Sequence, residues 1–186
     1  MNDIYVSRVC FPVRTLGPGD RLAIWFSGCK RNCEGCISPE FKMNNGLKLS
    51  VDRLIKFIEL KHDKIDGFTI SGGEPLDQYD GLICLLGYLN QISDDIIVFS
   101  GYTYNEIITK FPDNGECLFR NIAVLVDGPF IKELNEKKGL RGSSNQKFYI
   151  FKELYKKDYF ENYNRSLQTY VYDDRIIEIG IPWEKK

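Results

Sequence analysis

The sequence has little of several features that mark common classes of protein. Its 186 residues carry a formal net charge of −1 and contain a single histidine. A near-neutral balance gives no support for a nucleic-acid-binding surface, which normally shows a basic footprint. The lone His62 supports no Ser–His catalytic constellation, and no pair of carboxylates stands out as an acid–base pair. The common hydrolytic sites are therefore not indicated.

Long apolar segments are also missing. The longest uninterrupted apolar runs, such as residues 22–26, are about five residues long, whereas a membrane-spanning helix needs about 20. Asp3, Arg8 and Arg14 interrupt any apolar segment of a secretory signal. We therefore expect a cytoplasmic protein without membrane or nucleic-acid partners. A mass of 21.6 kDa with 43% apolar residues fits one domain, residues 1–186.

What the sequence does contain is a cluster of three cysteines. Cys29, Cys33 and Cys36 have the spacing C-x3-C-x2-C. So short a loop can turn three sulfurs toward one point, and thiolates select soft metals or iron–sulfur clusters. Structural zinc sites and ferredoxin clusters use four ligands, but the next cysteine is Cys84. Three cysteines holding four irons would leave one iron open for chemistry; buried structural cysteines or a zinc site completed from a distance are the alternatives.

Apolar runs alternate with helical periodicity along the chain. Strands are predicted at residues 4–6, 22–26, 67–70, 96–99 and 122–126, and helices beginning near residues 50, 75 and 103. A βαβα series predicts an α/β fold with a parallel sheet and helices outside it. The core spans about residues 20–150. The extension 151–186 contains a predicted hairpin, and packing over the sheet is favoured for it over partner binding.

Polar, glycine-containing segments follow four of the predicted strands. They are the cysteine loop and residues 72–74, 100–101 and 127–128. In parallel α/β sheets and barrels the carboxyl ends of the strands carry the active site, so these segments should converge. That convergence is the strongest residue-based indication of an enzyme.

Individual residues in these segments suggest roles, each with a structural alternative. The pair Gly72–Gly73 either supplies a tight turn or lets a ligand approach the backbone, with Glu74 as acceptor for an ammonium group. Asp127 could bind a cation or a polar ligand, and Arg141 could pair with a carboxylate. A solvated turn with an exposed arginine is the alternative for the second pair.

The cysteine spacing resembles that of the radical S-adenosylmethionine (SAM) superfamily. The superfamily usually has an aromatic residue before the third cysteine, where this chain has Gly35. The version Glu34-Gly35-Cys36 is instead similar to the activating enzymes of anaerobic ribonucleotide reductase. The strings at residues 126–130 and 140–146 resemble the signature of the same family, so that the resemblance spans roughly residues 20–150.

The resemblance implies a partial (β/α) barrel of the radical SAM type and a radical enzyme. Cys29, Cys33 and Cys36 would hold one 4Fe–4S cluster, whose open iron chelates SAM; one electron would then cleave SAM to methionine and a 5′-deoxyadenosyl radical. The residues expected to bind SAM are Gly35, Cys36, Ile37, Gly72, Gly73, Glu74, Ser100, Asp127 and Arg141.

The resemblance also implies protein partners. The radical acceptor would be a glycine of the large subunit of anaerobic ribonucleotide reductase, and an electron donor protein would supply the electron. Two alternatives stay open. One is a radical SAM enzyme that modifies a peptide or a small molecule, and the other is a non-catalytic iron–sulfur or zinc-binding module.

Overall fold

The computed structural model describes residues 3–60 and 64–183; His62 lies outside them. In this part of the chain the strands are β1 (Asp3–Val13), β2 (Arg21–Phe26), β3 (Leu47–Ser50), β4 (Gly67–Gly72), β5 (Ile96–Phe99), β6 (Val124–Asp127), β7 (Lys147–Ile150), β8 (Gln168–Val171) and β9 (Ile176–Ile179). The helices are α1 (Val51–Glu59), α2 (Tyr79–Ile92), α3 (Tyr104–Lys110), α4 (Glu116–Asn121) and α5 (Lys157–Glu161).

Seven strands form one sheet in the order β3-β1-β2-β4-β5-β6-β7. The four central strands β2, β4, β5 and β6 are mutually parallel, whereas β1, β3 and β7 pair antiparallel at the two sides. Strands β8 and β9 form a separate hairpin. The predicted α/β fold with a parallel centre is therefore confirmed. The strand predicted at residues 4–6 is longer than expected, and β3, β7 and α4 were not predicted.

Alternate residues of the central strands face two different apolar layers. On β2, Leu22 and Ile24 pack against the cluster that contains α1 and α2, while Ala23 and Trp25 pack on the opposite face. All six residues of β2 are buried. A strand covered on both faces reads as a continuous apolar run, which explains why β2 was easy to predict.

The C-terminal extension covers the face of the sheet opposite the helices. Phe160 of α5, Ile179 of β9 and Ile181 are buried in the second apolar cluster, beside Trp25 and Phe148. This is the packing over the sheet that was favoured for the extension. None of the helices within the described ranges is long and apolar enough to cross a bilayer.

A buried arginine ties this extension to the loop before β7. Arg165 donates hydrogen bonds to the carbonyls of Gly139 at 3.0 Å, Lys138 at 2.9 Å and Pro182 at 3.2 Å, and to the Asn135 side chain at 2.8 Å. Backbone carbonyls can satisfy a guanidinium that has left water. The end of the chain is thereby fixed next to the strand ends.

Candidate active site

The described residues form a cavity of about 290 Å³ at the carboxyl ends of the central strands. The residues from the four predicted segments that line it are Cys29, Cys33, Cys36, Ile37, Gly72, Gly73, Glu74, Ser100, Gly101 and Gly128. The predicted convergence of the segments after β2, β4, β5 and β6 is therefore confirmed. One space receives three thiols, a carboxylate and several glycines.

The three cysteines of the loop after β2 are half-buried and form no disulfide. Burial raises the pKa of Cys29 to about 11, and the nearby carboxylates of Glu74 and Asp77 act in the same direction. The Cys29 thiol is thus protonated at neutral pH, and a metal must displace its proton on binding.

The donor set of this loop suits a soft metal or an iron–sulfur cluster. Three sulfurs that share one zinc at about 2.3 Å would lie about 3.8 Å apart by tetrahedral geometry. Within residues 3–60 and 64–183, no three His, Cys, Asp or Glu side chains are arranged to hold one metal ion. In a 4Fe–4S cluster each cysteine ligates a different iron, so that Cys29, Cys33 and Cys36 can stand further apart around one space.

Backbone hydrogen bonds hold the start of the cysteine loop. The Gly28 N–H donates to the Phe41 carbonyl at 2.9 Å, and the Cys29 N–H donates to the Lys42 carbonyl at 3.1 Å. Gly28 has a φ of +93°, in the region that favours glycine. Main-chain hydrogen bonds therefore fix the position of Cys29 and of the residue before it.

Gly72 and Gly73, at the carboxyl end of β4, lie directly against this loop. Gly73 N–H donates to the Phe26 carbonyl at 2.9 Å, and Glu74 N–H donates to the Gly28 carbonyl at 2.8 Å. A Cβ at position 73 would lie 2.0 Å from the Gly28 carbonyl oxygen, and one at position 72 would lie 2.4 Å from the Phe26 backbone. Glycine is therefore required at both positions for the cysteine loop to pack against this segment, whether or not a ligand also binds there.

Glu74 connects the segments after β4 and β5. Its Oε1 accepts hydrogen bonds from the Leu76 N–H at 3.0 Å and the Ser100 hydroxyl at 2.8 Å, and its Oε2 accepts from the Gly101 N–H at 2.6 Å. A carboxylate has about four acceptor positions, so that one is left for a further donor. The side chain is 1% exposed, and this burial raises the pKa of Glu74 to about 7.

A second network fixes the middle of the cysteine loop and was not predicted. The Arg31 guanidinium lies 4.7 Å from the Tyr102 ring centroid and 3.3 Å from Oε1 of Glu106. The Tyr102 hydroxyl donates to Oδ1 of Asp77 at 2.9 Å, and Oδ2 of Asp77 accepts the Lys30 N–H at 2.7 Å. The spacing of the capping box of α3 was visible in the sequence, but its contact with Arg31 depends on the tertiary fold.

Three residues predicted to bind the cofactor, Gly35, Asp127 and Arg141, do not line the cavity. Asp127 is 3% exposed, and its carboxylate accepts the N–H of Tyr104 at 2.6 Å and that of Lys147 at 3.0 Å. Arg141 pairs with Glu136 at 3.1 Å. In this structure Asp127 and Arg141 hold neighbouring segments together.

Gln146 lines the cavity and was not singled out among the predicted site residues. Its Oε1 accepts the N–H of Gly142 at 2.7 Å, and its Nε2 donates to the Gly128 carbonyl at 2.8 Å. The string at residues 140–146 therefore reaches the site through Gly142 and Gln146. Arg8, Trp25, Phe41 and residues 178–182 line the same cavity and were also not predicted.

Comparisons with known proteins agree with this geometry. Residues 15–149 match the family model described as a 4Fe–4S single cluster domain. The chain is 33% identical over 146 residues to the anaerobic ribonucleoside-triphosphate reductase-activating protein of Vibrio cholerae, covering 73% of this chain and 90% of the relative. For the protein of the same name from Escherichia coli K12 the identity is 31% over 140 residues, covering 70% and 88%. A pyruvate formate-lyase-activating enzyme from Listeria monocytogenes is 39% identical over 72 residues, which are 36% of this chain and 29% of the relative.

Proposed function

Because the chain belongs to the 4Fe–4S single cluster domain family and to the anaerobic ribonucleoside-triphosphate reductase-activating proteins, we propose that it is a radical SAM activase. It acts as an oxidoreductase that installs a glycyl radical on the large subunit of anaerobic ribonucleotide reductase. An electron donor protein reduces it. The four adjacent parallel strands support a partial (β/α) barrel as its scaffold.

The observation that carries this proposal is the meeting of the cysteine loop with the glycines after β4 in one cavity. Gly73 contacts Gly28 through backbone alone, so that Cys29 and the SAM-binding segment cannot move independently. Cys29, as a cluster ligand, and Glu74, as the acceptor for the ammonium group, therefore keep a fixed relative position. An enzyme that orients two cofactors requires this.

Three cysteine ligands and one open iron are part of the proposal. Cys29, Cys33 and Cys36 hold the cluster, and the backbone at Gly28 and Lys30 fixes the loop before it loads. When bound and reduced, the cluster supplies the electron that cleaves SAM to methionine and a 5′-deoxyadenosyl radical, which takes a hydrogen atom from the acceptor glycine.

The residues around the cysteines bind and orient SAM in this proposal. The remaining acceptor position of Glu74 takes the ammonium group, while Gly72 and Gly73 leave room for it. Ser100 holds the Glu74 carboxylate in place. The others assigned to this task are Gly35, Cys36 and Ile37 beside the cluster, with Asp127 and Arg141 acting through the segments that they join.

The size of the cavity favours a protein substrate. A volume of about 290 Å³ lies at the lower end of the range of about 300–1,000 Å³ usual for small-molecule sites. In this proposal the cluster and SAM share that space. A substrate that brings its own surroundings, such as a glycine loop of a large partner, suits this space better than a second small molecule.

Anaerobic reconstitution tests the proposal. The protein is loaded with iron and sulfide, reduced, given SAM and mixed with its cognate reductase, and the glycyl doublet is followed by electron paramagnetic resonance. The doublet should disappear when the acceptor glycine is replaced by alanine. SAM cleavage without any radical on the reductase would contradict the proposal and favour a peptide- or small-molecule-modifying enzyme.

Cysteine variants test the ligand count in the same experiment. The substitutions expected to abolish cluster loading and SAM cleavage are Cys29→Ala, Cys33→Ala and Cys36→Ala. The matched controls, expected to keep both, are Cys10→Ala, Cys84→Ala and Cys117→Ala. A control position that proved necessary for iron binding would contradict a three-cysteine site.

A further inference from the structure

A second set of residues lines the cavity and has no task in holding the cluster or SAM. Arg8 comes from β1, Trp25 from β2, Phe41 from the turn after the cysteine loop, and residues 178–182 from the C-terminal extension. The extension lies outside residues 15–149, which the family model matches. This wall of the cavity is therefore built partly from residues that the match does not include.

Two aromatic rings hold Arg8 in this wall. Its guanidinium lies 5.0 Å from the centroid of the Phe41 ring and 5.9 Å from that of Trp25. In the described part of the chain no hydrogen bond or ion pair engages this guanidinium, although Glu40 and Glu178 line the same cavity. Stacking on the rings fixes the position of the group and leaves its five N–H donors available.

Three other arginines, Arg21, Arg31 and Arg165, use donors for contacts within the protein. Arg21 is buried against Asp95 at 2.6 Å, and Arg165 donates to four backbone carbonyls and an amide. Arg31, which lines the cavity as well, pairs with Glu106. Of the two described cations that line the cavity, Arg8 and Arg31, Arg8 is thus the one whose donors remain available for a ligand.

The chemistry of the proposed substrate indicates which ligand could accept hydrogen bonds from Arg8. A glycine offers no side chain, so that an enzyme can position it only through the peptide groups around it. A guanidinium can donate two parallel hydrogen bonds to carboxylate oxygens, and it can also donate to peptide carbonyls, as Arg165 does to Gly139 and Lys138 in this protein. We propose that Arg8 and the wall around it form the subsite that grips the main chain of the partner segment carrying the acceptor glycine.

The apolar members of the wall suit this task. Trp25, Ile179 and Ile181 are buried, at 6%, 2% and 5% exposure, and they give the subsite a surface that holds little water. Hydrogen bonds from Arg8 to peptide carbonyls are stronger beside such a surface than in bulk water. The C-terminal extension therefore serves the binding of the partner as well as covering the sheet.

This inference rests on the proposed function, and its test separates the two. The variants Arg8→Gln and Arg8→Lys are compared with Arg53→Gln, a change of an exposed arginine on α1 away from the cavity. Three quantities are measured on the reconstituted proteins: the Kd of SAM, the 5′-deoxyadenosine formed without partner, and the concentration of reductase large subunit that gives the half-maximal rate of glycyl radical formation at saturating SAM.

We expect Arg8→Gln to raise the half-saturating concentration of the reductase about tenfold or more, since charge-assisted hydrogen bonds are lost. The half-saturating concentration for Arg8→Lys should lie between those of Arg8→Gln and the unsubstituted protein, because lysine keeps the charge but lacks the planar guanidinium. The SAM Kd should stay within about twofold of that of the unsubstituted protein. Arg53→Gln should match the unsubstituted protein in all three quantities.

Two results would overturn the inference while the proposed function stands. If both Arg8 variants titrate with the reductase like the unsubstituted protein, the subsite does not exist. If the SAM Kd rises tenfold and the reductase titration is unchanged, Arg8 binds the SAM carboxylate instead. Failure of the proposed function looks different, since the unsubstituted protein would then cleave SAM and leave the reductase without a radical, and the inference would fall with it.

Discussion

The buried carboxyl group of Glu74 should make the stability of the protein depend on pH near neutrality. It accepts three hydrogen bonds and is almost completely buried, and this burial raises its pKa from 4.5 to about 7. A carboxyl whose pKa is higher in the folded than in the unfolded protein favours folding when protonated. Its contribution is fully present below pH 4.5 and is lost as the pH rises through about 7.

The magnitude follows from the two pKa values. Linkage between 4.5 unfolded and about 7 folded gives a loss of about 2.5 kcal/mol in the free energy of unfolding between pH 5 and pH 8. In Glu74→Gln the titrating group is gone, while an amide of the same shape remains. The difference in unfolding free energy, variant minus unsubstituted protein, should therefore rise by about 2.5 kcal/mol over this pH range.

Urea unfolding of the metal-free, reduced protein at pH 5, 6, 7 and 8 measures this difference. Glu106→Gln is the matched control: burial opposes ionisation there, but hydrogen bonds and the charge of Arg31 lower the pKa of Glu106 to about 2. Glu106 is almost fully ionised above pH 5, so the difference in unfolding free energy between Glu106→Gln and the unsubstituted protein should hardly change from pH 5 to pH 8. A flat difference for Glu74→Gln as well would refute the reasoning, because the carboxyl would then be ionised in both states.

Three further predictions rest on contacts described above. Gly73→Ala places a Cβ 2.0 Å from the Gly28 carbonyl oxygen, and elemental analysis should find less than half of the normal iron and sulfide in this variant. The control is Gly87→Ala, where no atom lies within 4 Å of the added Cβ. It should bind iron and sulfide normally and be more stable by about 0.5–1 kcal/mol. If the ionised Glu74 carboxylate accepts the ammonium group, calorimetry should find SAM binding about tenfold tighter at pH 8 than at pH 6, and equal affinities would contradict that contact. Arg165→Ala should lower the unfolding free energy by about 3 kcal/mol in urea titrations, because buried carbonyls lose their donor; a loss below about 1 kcal/mol would contradict that role.

The sequence predicted well those strands and helices whose buried positions can be read from a short run of consecutive residues. The run at residues 22–26 is apolar on both faces of a central strand, and it is β2 in the structure. β3 (Leu47–Ser50) was missed because it is a short edge strand whose first two residues are exposed. Its pairing with β1 is decided by contacts far apart in the sequence, and a four-residue window carries no signal for them.

The candidate site divides in the same way. The cysteine spacing and the position of glycines after strands are local patterns, and they located the cavity. The task of a polar side chain depends on what the fold brings next to it. Asp127 ends a strand, where active-site residues often lie, yet both its oxygens accept backbone N–H groups of neighbouring segments. Arg8 reaches the cavity only because β1 pairs antiparallel with β2 in a register that sets it beside Trp25.

The backbone contacts around the cysteine loop also bear on how far such a protein can diverge. Gly28, Cys29, Gly73 and Glu74 are joined to their neighbours through N–H and carbonyl groups, which every residue except proline provides. A site held in this way constrains few side chains: the metal ligands, one buried acid and the positions where no Cβ fits. Substitution of most surrounding side chains should therefore leave the shape of the site unchanged, since its hydrogen bonds do not depend on them.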